Sequence, residues 1–319
     1  MYLCKPVDEK LHVVVALSNP ARYETRYRLY YEFQKYMLTN PRVQLHVVEL
    51  AFGDRPFFLT DKLKDNRVNY LQLRSRHELW VKENLLNIGI NRLPSDANYI
   101  CWCDADVMFA NPYWAEETIE CLQHYDIVQN FSTCYDLNSN YDPYKGFYGF
   151  MYAYHNGIRD SSNKYAQSYH PGFCWSATRA GLDKVGGLID HAILGAADRA
   201  MACGLVGTVK DSYPEGLTKE YLQPLYIWQD RAQKEIKGNH GYVKGALWHY
   251  PHGQKVRRGY VSRWNILVNN KFNPLIDLKR DMNGVWQLTD NNPKLRDDIR
   301  SYFRERREDD AVYTQKVCL

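Results

Sequence analysis

The sequence predicts an α/β fold, with a mostly parallel β-sheet flanked by helices and a helical extension at the C-terminus. Two features of the first half of the chain support this prediction: short runs rich in β-branched residues, and longer segments between them whose apolar residues recur at helical spacing. Strands that alternate with helices are typical of βαβ units, in which the strands lie parallel. The composition is that of a globular chain, because 45% of the 319 residues are hydrophobic and 24% are charged.

The elements of the first half can be placed in order. Strands are expected where Val, Ile and Leu are dense and the run ends at turn residues, which selects 11–17, 43–50, 68–73, 98–103 and 126–131. Helices are expected where apolar side chains return every three or four positions, at 23–38, 77–90 and 113–125. Ligands of a parallel sheet bind at the carboxyl ends of its strands, so the residues that follow each strand are candidates for a site.

The pattern changes after residue 133. Residues 134–170 are rich in Tyr, Asn, Asp, Ser and Gly without a clear period, so they are predicted to form a long and mainly irregular insert. Regular structure is expected again at 172–176 and in helices near 179–185, 195–203, 222–237 and 293–307, the last opening with a proline at a first helical position. The simplest organisation is one domain over residues 1–261, with the helical extension over residues 262–319.

Composition and missing motifs argue against several classes of protein. The 41 basic and 37 acidic residues leave a net charge of +4, too small an excess for a polybasic binder. The turn after the first strand lacks Gly-x-Gly-x-x-Gly, and the sequence has no P-loop, which argues against a dehydrogenase or a P-loop NTPase. The longest apolar stretch, 185–206, contains charged residues, so no membrane span is expected. Without a recognisable targeting peptide or C-x-x-C pairs, the eight cysteines predict reduced thiols in the cytoplasm, with a disulfide framework as the alternative.

The first candidate site follows the fourth predicted strand, where a hydrophobic run leads directly into Asp104-Ala105-Asp106. Residues two apart at the end of a strand lie on the same side, so the two carboxylates can converge. Converging carboxylates need a compensating cation, and a divalent metal ion is a natural one. The alternative is that the two aspartates only cap the turn before the next helix.

A second candidate site lies in the segment 247–260. An apolar strand is followed by two histidines, His249 and His252, and then by the cations Lys255, Arg257 and Arg258. Imidazole binds metal ions, and Lys and Arg neutralise phosphate oxygens. Together with the two aspartates, His249 would complete a metal site beside an anionic ligand. The alternative is a basic surface loop whose first histidine is hydrogen-bonded in the core.

A third candidate is Asp198, which follows the small residues Gly195-Ala196-Ala197. Small residues let the backbone approach a ligand closely, so the Asp198 carboxylate can face a cleft and act as a general base toward a hydroxyl group. The alternative is an ordinary acidic residue in the first turn of a helix, where it interacts favourably with the helix dipole. Asp190 is the second candidate for the base.

The three segments together resemble the nucleotide-sugar glycosyltransferases of the GT-A fold, a Rossmann-like α/β fold. The resemblance covers about residues 11–260. It implies that Asp104 and Asp106 form an Asp-x-Asp motif that holds a metal ion and touches the nucleotide sugar, with His249 as the third metal ligand. It also places Asp198 at the acceptor motif of the class, although the preceding residue here is Ala197 and not an acid.

The resemblance further implies a metal-dependent hexosyltransferase that uses Mn²⁺ or Mg²⁺ and a UDP-sugar of the UDP-glucose type. The candidate donor-binding residues follow the first two strands, belong to the helix predicted at 77–90, or lie in the basic segment: Asn19, Arg22, Glu49, Trp80, Lys82, Asn84, Lys255, Arg257 and Arg258. Trp175 would stack on a sugar, or else be a core side chain. The alternative for the residues of 77–90 is a half-buried helix face with a lysine that extends to solvent.

A narrower resemblance is to a phage and bacterial group that is distantly similar to the base J glucosyltransferase, which modifies hydroxymethylated bases in DNA. It rests on Trp102-Cys-Asp-Ala-Asp106, His170-Pro-Gly-Phe-Cys-Trp175 and Trp248-His-Tyr-Pro-His-Gly253. It implies a 5-hydroxymethyl pyrimidine in DNA as the acceptor, and the cytoplasm of a bacterial or infected host cell as the location.

Other acceptors stay open, namely a hydroxyl group on a glycan, a lipid or a protein, and so does a non-catalytic protein that binds carbohydrate or nucleic acid. For DNA, the last predicted helix carries arginines spaced to share one face and contact phosphates: Arg296, Arg300, Arg304 and Arg307. Acidic residues on the same helix favour instead an ordinary solvated face. No obligate protein partner is evident in the sequence.

Overall fold

The computed structural model describes residues 9–159 and 169–311, and a central seven-stranded sheet organises this part of the chain. Its strands are β1 (Leu11–Ser18), β2 (Val43–Phe52), β3 (Val68–Ser75), β4 (Tyr99–Cys103), β6 (Ile127–Gln129), β9 (Cys174–Thr178) and β10 (His240–Tyr242). They lie in the order β10-β6-β9-β4-β1-β2-β3, and every pairing is parallel except those of β9, which runs antiparallel to β4 and β6. The predicted α/β fold with a mostly parallel sheet is confirmed.

Helices cover both faces of the sheet. The helices of the described residues are α1 (Glu24–Met37), α2 (Lys82–Ile90), α3 (Trp114–Leu122), α4 (Phe150–His155), α5 (Arg179–Val185), α6 (Ala197–Leu205), α7 (Lys219–Arg231), α8 (Arg263–Asn269), α9 (Pro274–Asp277) and α10 (Pro293–Glu305). Successive side chains of β1 pack into two different hydrophobic clusters. Val14 is buried with Leu85 of α2, whereas Val13 and Val15 are buried with Phe33 of α1. A strand covered on both faces needs consecutive apolar residues, which explains the run of valines in β1.

A second sheet of four strands brings the segment that follows β4 next to the segment that follows residue 245. β5 (Val107–Phe109), β7 (Thr133–Leu137), β8 (Pro143–Tyr148) and β11 (Ala246–His249) lie in the order β5-β11-β7-β8. β11 runs antiparallel to β5 and parallel to β7, and its last residue, His249, is in register with Val107 on one side and Asp136 on the other. Two candidate segments that are far apart in sequence therefore lie side by side.

The prediction of a mainly irregular insert over residues 134–170 is wrong for residues 134–159. β7 and β8 form a hairpin there, and α4 follows it. β8 is largely exposed, and β7 pairs with β11, which lies more than 100 residues later, so neither strand has a local apolar period. The part of the insert at 160–168 lies outside the described residues.

Two other boundaries differ from the predictions. The helix expected at 77–90 begins only at Lys82, because the Trp80 N–H donates to the carbonyl of Ile193 (3.0 Å) and not to a carbonyl of its own segment. The extension after residue 261 contains, besides α8, α9 and α10, an antiparallel pair of strands, β12 (Leu278–Arg280) and β13 (Trp286–Leu288). None of the helices in the described ranges has the length and apolar run needed to cross a bilayer.

The end of the described chain returns to the start of α1. The Tyr23 hydroxyl donates to the carbonyl of Phe303 (2.6 Å), and the N–H of Arg307 donates to the same hydroxyl (2.9 Å). Just beyond α10, Arg306 and Glu308 are buried, with 3% and 2% of their surface exposed. Residues 303–308, the C-terminal wall, thereby close one side of the cleft that contains the candidate site.

Candidate active site

A cleft of about 610 Å³ opens at the carboxyl ends of β1 and β4. It is lined by the residues that follow these two strands, by the first turns of α2 and α6, by the loop after β11 and by the C-terminal wall. All three segments singled out in the sequence contribute to it, through Asp104 and Asp106, through His249 and His252, and through Asp198.

Asp104 and Lys82 form an ion pair on one side of the cleft. β4 ends at Cys103, and the Asp104 N–H donates to the carbonyl of Phe173 (2.8 Å), which fixes the backbone. Lys82 Nζ, in the first turn of α2, donates to Asp104 Oδ1 at 2.9 Å. Burial raises the pKa of Asp104, although Lys82 opposes the effect. The pair is available to a ligand that needs one cation and one acceptor close together.

Glu83 is a buried acid behind this pair. Its Oε1 lies 3.4 Å from Lys82 Nζ, and only 4% of the residue is exposed. Burial raises the pKa of Glu83 to about 7, with Lys82 lowering it and Asp198 adding to the rise. Burial also acts to lower the pKa of Lys82, but Asp104 and Glu83 outweigh it, so the pKa of that ammonium is well above its usual value. Lys82 therefore stays charged between the two acids.

Asp106, His249 and His252 form a group, called here the Asp-His-His group, that could hold a metal ion. One potential ligand atom from each residue lies within 4.8 Å of the others. Nε2 of His252 is 2.9 Å from Asp106 Oδ2, and Nε2 of His249 is 3.9 Å from it. The other oxygen, Asp106 Oδ1, is buried without a hydrogen-bond partner in the described structure. An unpartnered buried carboxylate oxygen beside two imidazoles is the donor chemistry of a divalent-ion site.

The charge states of the Asp-His-His group also suit a cation. Burial acts to raise the pKa of Asp106, but the hydrogen bond from His252 and the positive charge of nearby groups outweigh it, so this pKa is lowered. Burial lowers the pKa of His249 to about 4, although its hydrogen bond to Asp136 opposes the shift. An ionised carboxylate and a neutral imidazole are the forms that bind metal.

The group found here differs from the predicted metal set of Asp104, Asp106 and His249, because Asp104 is paired with Lys82 and His252 lies beside Asp106. The backbone explains the change. Tyr250 N–H donates to the Asp106 carbonyl (2.8 Å), and the chain then turns so that His252 faces Asp106. The sequence shows both histidines, but the direction of this turn has no sequence signature.

Asp198 lies in the first turn of α6 and lines the same cleft. Ala196, which precedes the helix, has a φ of 78°, a left-handed conformation that is unusual for a residue with a side chain. Asp198 Oδ1 accepts from the N–H of Arg199 (2.7 Å), and a Cβ added at Gly172 would lie 2.2 Å from Oδ2. The carboxylate is thus held tightly against the backbone of Gly172, at the edge of the cleft.

Other predicted donor-binding residues line the cleft but have partners within the protein. The Asn19 side chain bonds both the carbonyl (2.7 Å) and the N–H (2.9 Å) of Tyr23, before α1. Lys255 Nζ contacts Asp136 Oδ2. Arg258 is buried, and Nη2 donates to the carbonyl of His252 (3.3 Å). Each of these contacts shapes the wall of the cleft.

Six predicted residues do not line the cleft: Arg22, Glu49, Asn84, Trp175, Asp190 and Arg257. Glu49 is buried, and its oxygens accept from the backbone N–H groups of Phe58 and Leu59 and from Gln72. Its carboxylate therefore anchors the loop that follows β2. Trp175 is a core side chain whose Nε1 donates to the carbonyl of Pro171 (2.8 Å). For Trp175 the core alternative is therefore the one realised.

Three charged residues of this set, Asp190, Arg257 and Arg22, lie outside the cleft. Asp190 Oδ2 accepts from Arg280 (2.8 Å) and from Asn84 (3.3 Å), away from Asp198. Arg257 lies 3.7 Å from Asp310 on a part-exposed surface. Arg22 is exposed in the turn before α1, with a φ of 59°.

The C-terminal wall contributes residues that sequence reasoning missed. Arg26 and Arg306 lie over the Trp80 ring, 5.7 and 5.1 Å from its centroid, and Phe303 stacks parallel to it at 6.5 Å. Burial acts to raise the pKa of Glu308, but Arg26 and Arg306 outweigh it and hold that pKa well below its usual value. No local pattern signals these roles, because the wall is brought to the cleft by contacts that span more than 280 residues.

Comparisons with known proteins find similar folds only. No protein-family model matches the chain, and no curated protein matches it. A mutant of the Drosophila β1,4-galactosyltransferase 7, in complex with manganese, UDP-Gal and xylobiose, has 11% identity and a TM-score of 0.32, covering 64% of this chain and 62% of that one. The chain thus spans less than two thirds of that protein.

Two further solved structures show comparable likeness. A nucleotide-diphospho-sugar transferase from Desulfovibrio desulfuricans has 10% identity and a TM-score of 0.34, covering 76% of this chain and 81% of that one. The 4-diphosphocytidyl-2C-methyl-D-erythritol synthase from Anaerococcus prevotii has 11% identity and a TM-score of 0.33, covering 74% and 89%. Likeness at this level concerns the arrangement of strands and helices alone.

Proposed function

We propose that this protein is a metal-dependent glycosyltransferase, which moves a sugar from a nucleotide-diphosphate donor to an acceptor hydroxyl group. The observation that carries the proposal is the Asp-His-His group, which lies in the same cleft as the Lys82–Asp104 pair and Asp198. One cleft then offers a metal site, cations for a diphosphate and a carboxylate for an acceptor. The default donor is a UDP-sugar of the UDP-glucose type.

The Asp-His-His group would hold the metal ion through the Asp106 carboxylate and the Nε2 atoms of both histidines. Two imidazoles beside a carboxylate suit a first-row transition-metal ion better than Mg²⁺. Of these ions, Mn²⁺ is the one that the sequence resemblance implies, so it is the first to test. When bound, the ion offsets the charge that grows on the diphosphate as the bond to the sugar breaks. Lys82 and Arg258 also line the cleft and add positive charge to it.

Asp198 would act as the general base. Its carboxylate takes the proton of the acceptor hydroxyl while that oxygen bonds to the anomeric carbon, and the bond from this carbon to the diphosphate breaks with its electrons. Attack from the side opposite the leaving group inverts the configuration. We assign no part in this step to Asp190, because Arg280 and Asn84 hold it outside the cleft.

Calorimetric titration with UDP, with and without Mn²⁺, tests the donor site. We expect Mn²⁺ to strengthen UDP binding to the wild type, and Asp106→Ala and His252→Ala to abolish this effect. Asp61→Asn is the matched control, because its carboxylate is fully exposed on a loop. Equal binding of UDP with and without metal would refute the proposal. Metal-dependent release of UDP from UDP-glucose separates an enzyme from a non-catalytic binding protein.

For the acceptor, the proposal to test first is a 5-hydroxymethyl pyrimidine in DNA. It is supported by an open groove of about 510 Å³, the basic groove, which is lined by Arg55, Arg76, Arg296 and Arg300 and adjoins the cleft through residues 78–80. Glu78 lies within 3.0 Å of Arg55 and 3.4 Å of Arg300, so part of this charge is already compensated. Arg76 keeps its guanidinium at the surface.

A hydroxyl group of a glycan, lipid or protein is the alternative acceptor. Incubation with labelled UDP-glucose and Mn²⁺, with plain DNA, hydroxymethylated DNA and a glycan panel offered in parallel, distinguishes the two. Label in hydroxymethylated DNA alone supports the first proposal. Label in glycans alone would reject DNA and leave the glycosyltransferase proposal in place.

A further inference from the structure

Each histidine of the Asp-His-His group has a buried carboxylate beside its other ring nitrogen. Nδ1 of His249 lies 2.9 Å from Asp136 Oδ1, and Nδ1 of His252 lies 3.4 Å from Glu308 Oε2. Both carboxylate residues are only 2% exposed. The two pairs therefore have the same order: a buried carboxylate, then an imidazole, then Asp106.

A carboxylate in this position has a known physical effect on a metal-binding histidine. By accepting from Nδ1–H it selects the tautomer whose Nε2 lone pair is free for the ion, and it fixes the plane of the ring. The first pair is hydrogen-bonded. In the second pair the distance is that of an ion contact, and His252 Nδ1 is buried without an aligned hydrogen bond to any described residue, so Glu308 is the acceptor placed beside it.

Glu308 is itself held in place from two directions. Arg26 Nη2, from α1, donates to Glu308 Oε1 at 2.8 Å, and Arg306 Nε donates to the same oxygen. These contacts leave Glu308 Oε2 facing both Arg26 Nε and His252. The C-terminal wall thus reaches the metal site through one side chain.

We propose that Glu308 is a positioning residue of the metal site: it orients the His252 ring so that Nε2 faces the ion, as Asp136 does for His249. The proposal rests on the metal site of the proposed function. It adds that the site needs a residue from the end of the described chain, which touches neither the ion nor the substrate.

The test is a double-mutant cycle on Mn²⁺ affinity, measured by calorimetry or electron paramagnetic resonance in the absence of substrate. We expect Glu308→Gln to weaken Mn²⁺ binding about 10- to 100-fold, as the loss of an outer carboxylate typically does. In a His252→Ala background the same change should have no further effect, because Glu308 acts through that ring. Asp309→Asn is the matched control, because Asp309 accepts only backbone N–H groups of Glu24 and Thr25.

Each outcome decides one question. Wild-type affinity in Glu308→Gln, or an equal loss in the His252→Ala background, would overturn the role of Glu308. Absence of Mn²⁺ binding by the wild type would instead overturn the proposed function. If Glu308→Gln does not fold, Glu308→Asp carries the same test, because it keeps the charge facing Arg26 and Arg306 while withdrawing the carboxylate from His252.

Discussion

Asp104 and Asp106 are separated by one residue, yet the protein shifts their pKa values in opposite directions. Burial raises the pKa of Asp104, whereas the hydrogen bond to His252 and the charge of Arg258 help to lower that of Asp106 against the effect of burial. Environments that push two acids apart in this way give them different tasks. Asp106 is suited to a metal ion, and Asp104 to the Lys82 ammonium.

At the residue scale, the first prediction concerns the base. Asp198→Asn should lower kcat about 10²- to 10⁴-fold, the usual worth of general-base catalysis, while the affinities for Mn²⁺ and UDP stay unchanged. Steady-state kinetics together with calorimetry measure both quantities. Asp183→Asn, on the exposed side of α5, is the control. A variant of Asp198 with near-normal kcat would assign the base elsewhere.

A second prediction concerns Gly172. A Cβ at this position would lie 2.2 Å from Asp198 Oδ2, so Gly172→Ala must displace the carboxylate. We therefore expect this variant to lose kcat as Asp198→Asn does and to keep its affinity for Mn²⁺. The double variant Gly172→Ala/Asp198→Asn should be no slower than the slower single one. A multiplicative loss of rate in the double variant would contradict this prediction.

A third prediction concerns pH and Glu83. The pKa of this acid is about 7 in the folded protein and about 4.5 in the unfolded chain, so between these values the folded state binds more protons. Stability therefore falls as pH rises through this window, by up to about 3 kcal/mol. Glu83→Gln should remove this decline. Urea unfolding at pH 5 and pH 8 measures it, with the exposed Glu24→Gln as control; an equal decline in Glu83→Gln would contradict the prediction.

At the scale of the elements, β11 determines the site. It lies between β5 and β7, and this register puts His249 next to Asp136 and close to Asp106. The strand itself could not be paired from the sequence, because its partners lie more than 100 residues earlier. Its apolar start and its terminal histidine were nevertheless visible in the sequence.

The sequence was informative wherever local patterns decide the structure. The strands β1 to β4 were predictable from dense apolar residues. Asp106 and His249 were candidates because they end or follow such runs, and Asp198 because small residues precede it. The exposed strand β8 has no apolar period, and the part of His252 depends on a turn after β11. Glu308 could not be predicted at all, since only long-range packing brings it to the cleft.

The basic groove yields a prediction for α10. If DNA phosphates contact Arg296 and Arg300, replacing both with Gln should reduce the slope of log affinity against log salt by about 2. The control is Lys35→Gln/Arg92→Gln, in the last turn of α1 and just after the end of α2. Fluorescence anisotropy on a labelled duplex at several salt concentrations measures the slope. An unchanged slope would exclude this face of α10 as a DNA contact.

At the scale of the whole molecule, the cleft joins the two ends of the described chain. Asn19 and Arg26 lie on one side, and Arg306 and Glu308 lie on the other. Deleting residues 306–319 should therefore weaken Mn²⁺ binding about 10-fold or more and lower the melting temperature. Deleting only residues 312–319 is the matched control, since it keeps the contacts that residues 303–308 make with the other described residues. Equal affinity of the two truncated proteins would contradict the prediction.

The position of Glu308 also affects when the protein becomes competent during its synthesis. A ribosome adds about 5 to 20 residues per second, so Asp106 emerges on the order of ten to forty seconds before Glu308. His252 follows Asp106 by 146 residues and precedes Glu308 by 56. Only for the last part of this interval, about 3 to 11 seconds, is the second histidine present without the carboxylate beside it. A metal ion would then find the proposed site complete only after residue 308 has been added.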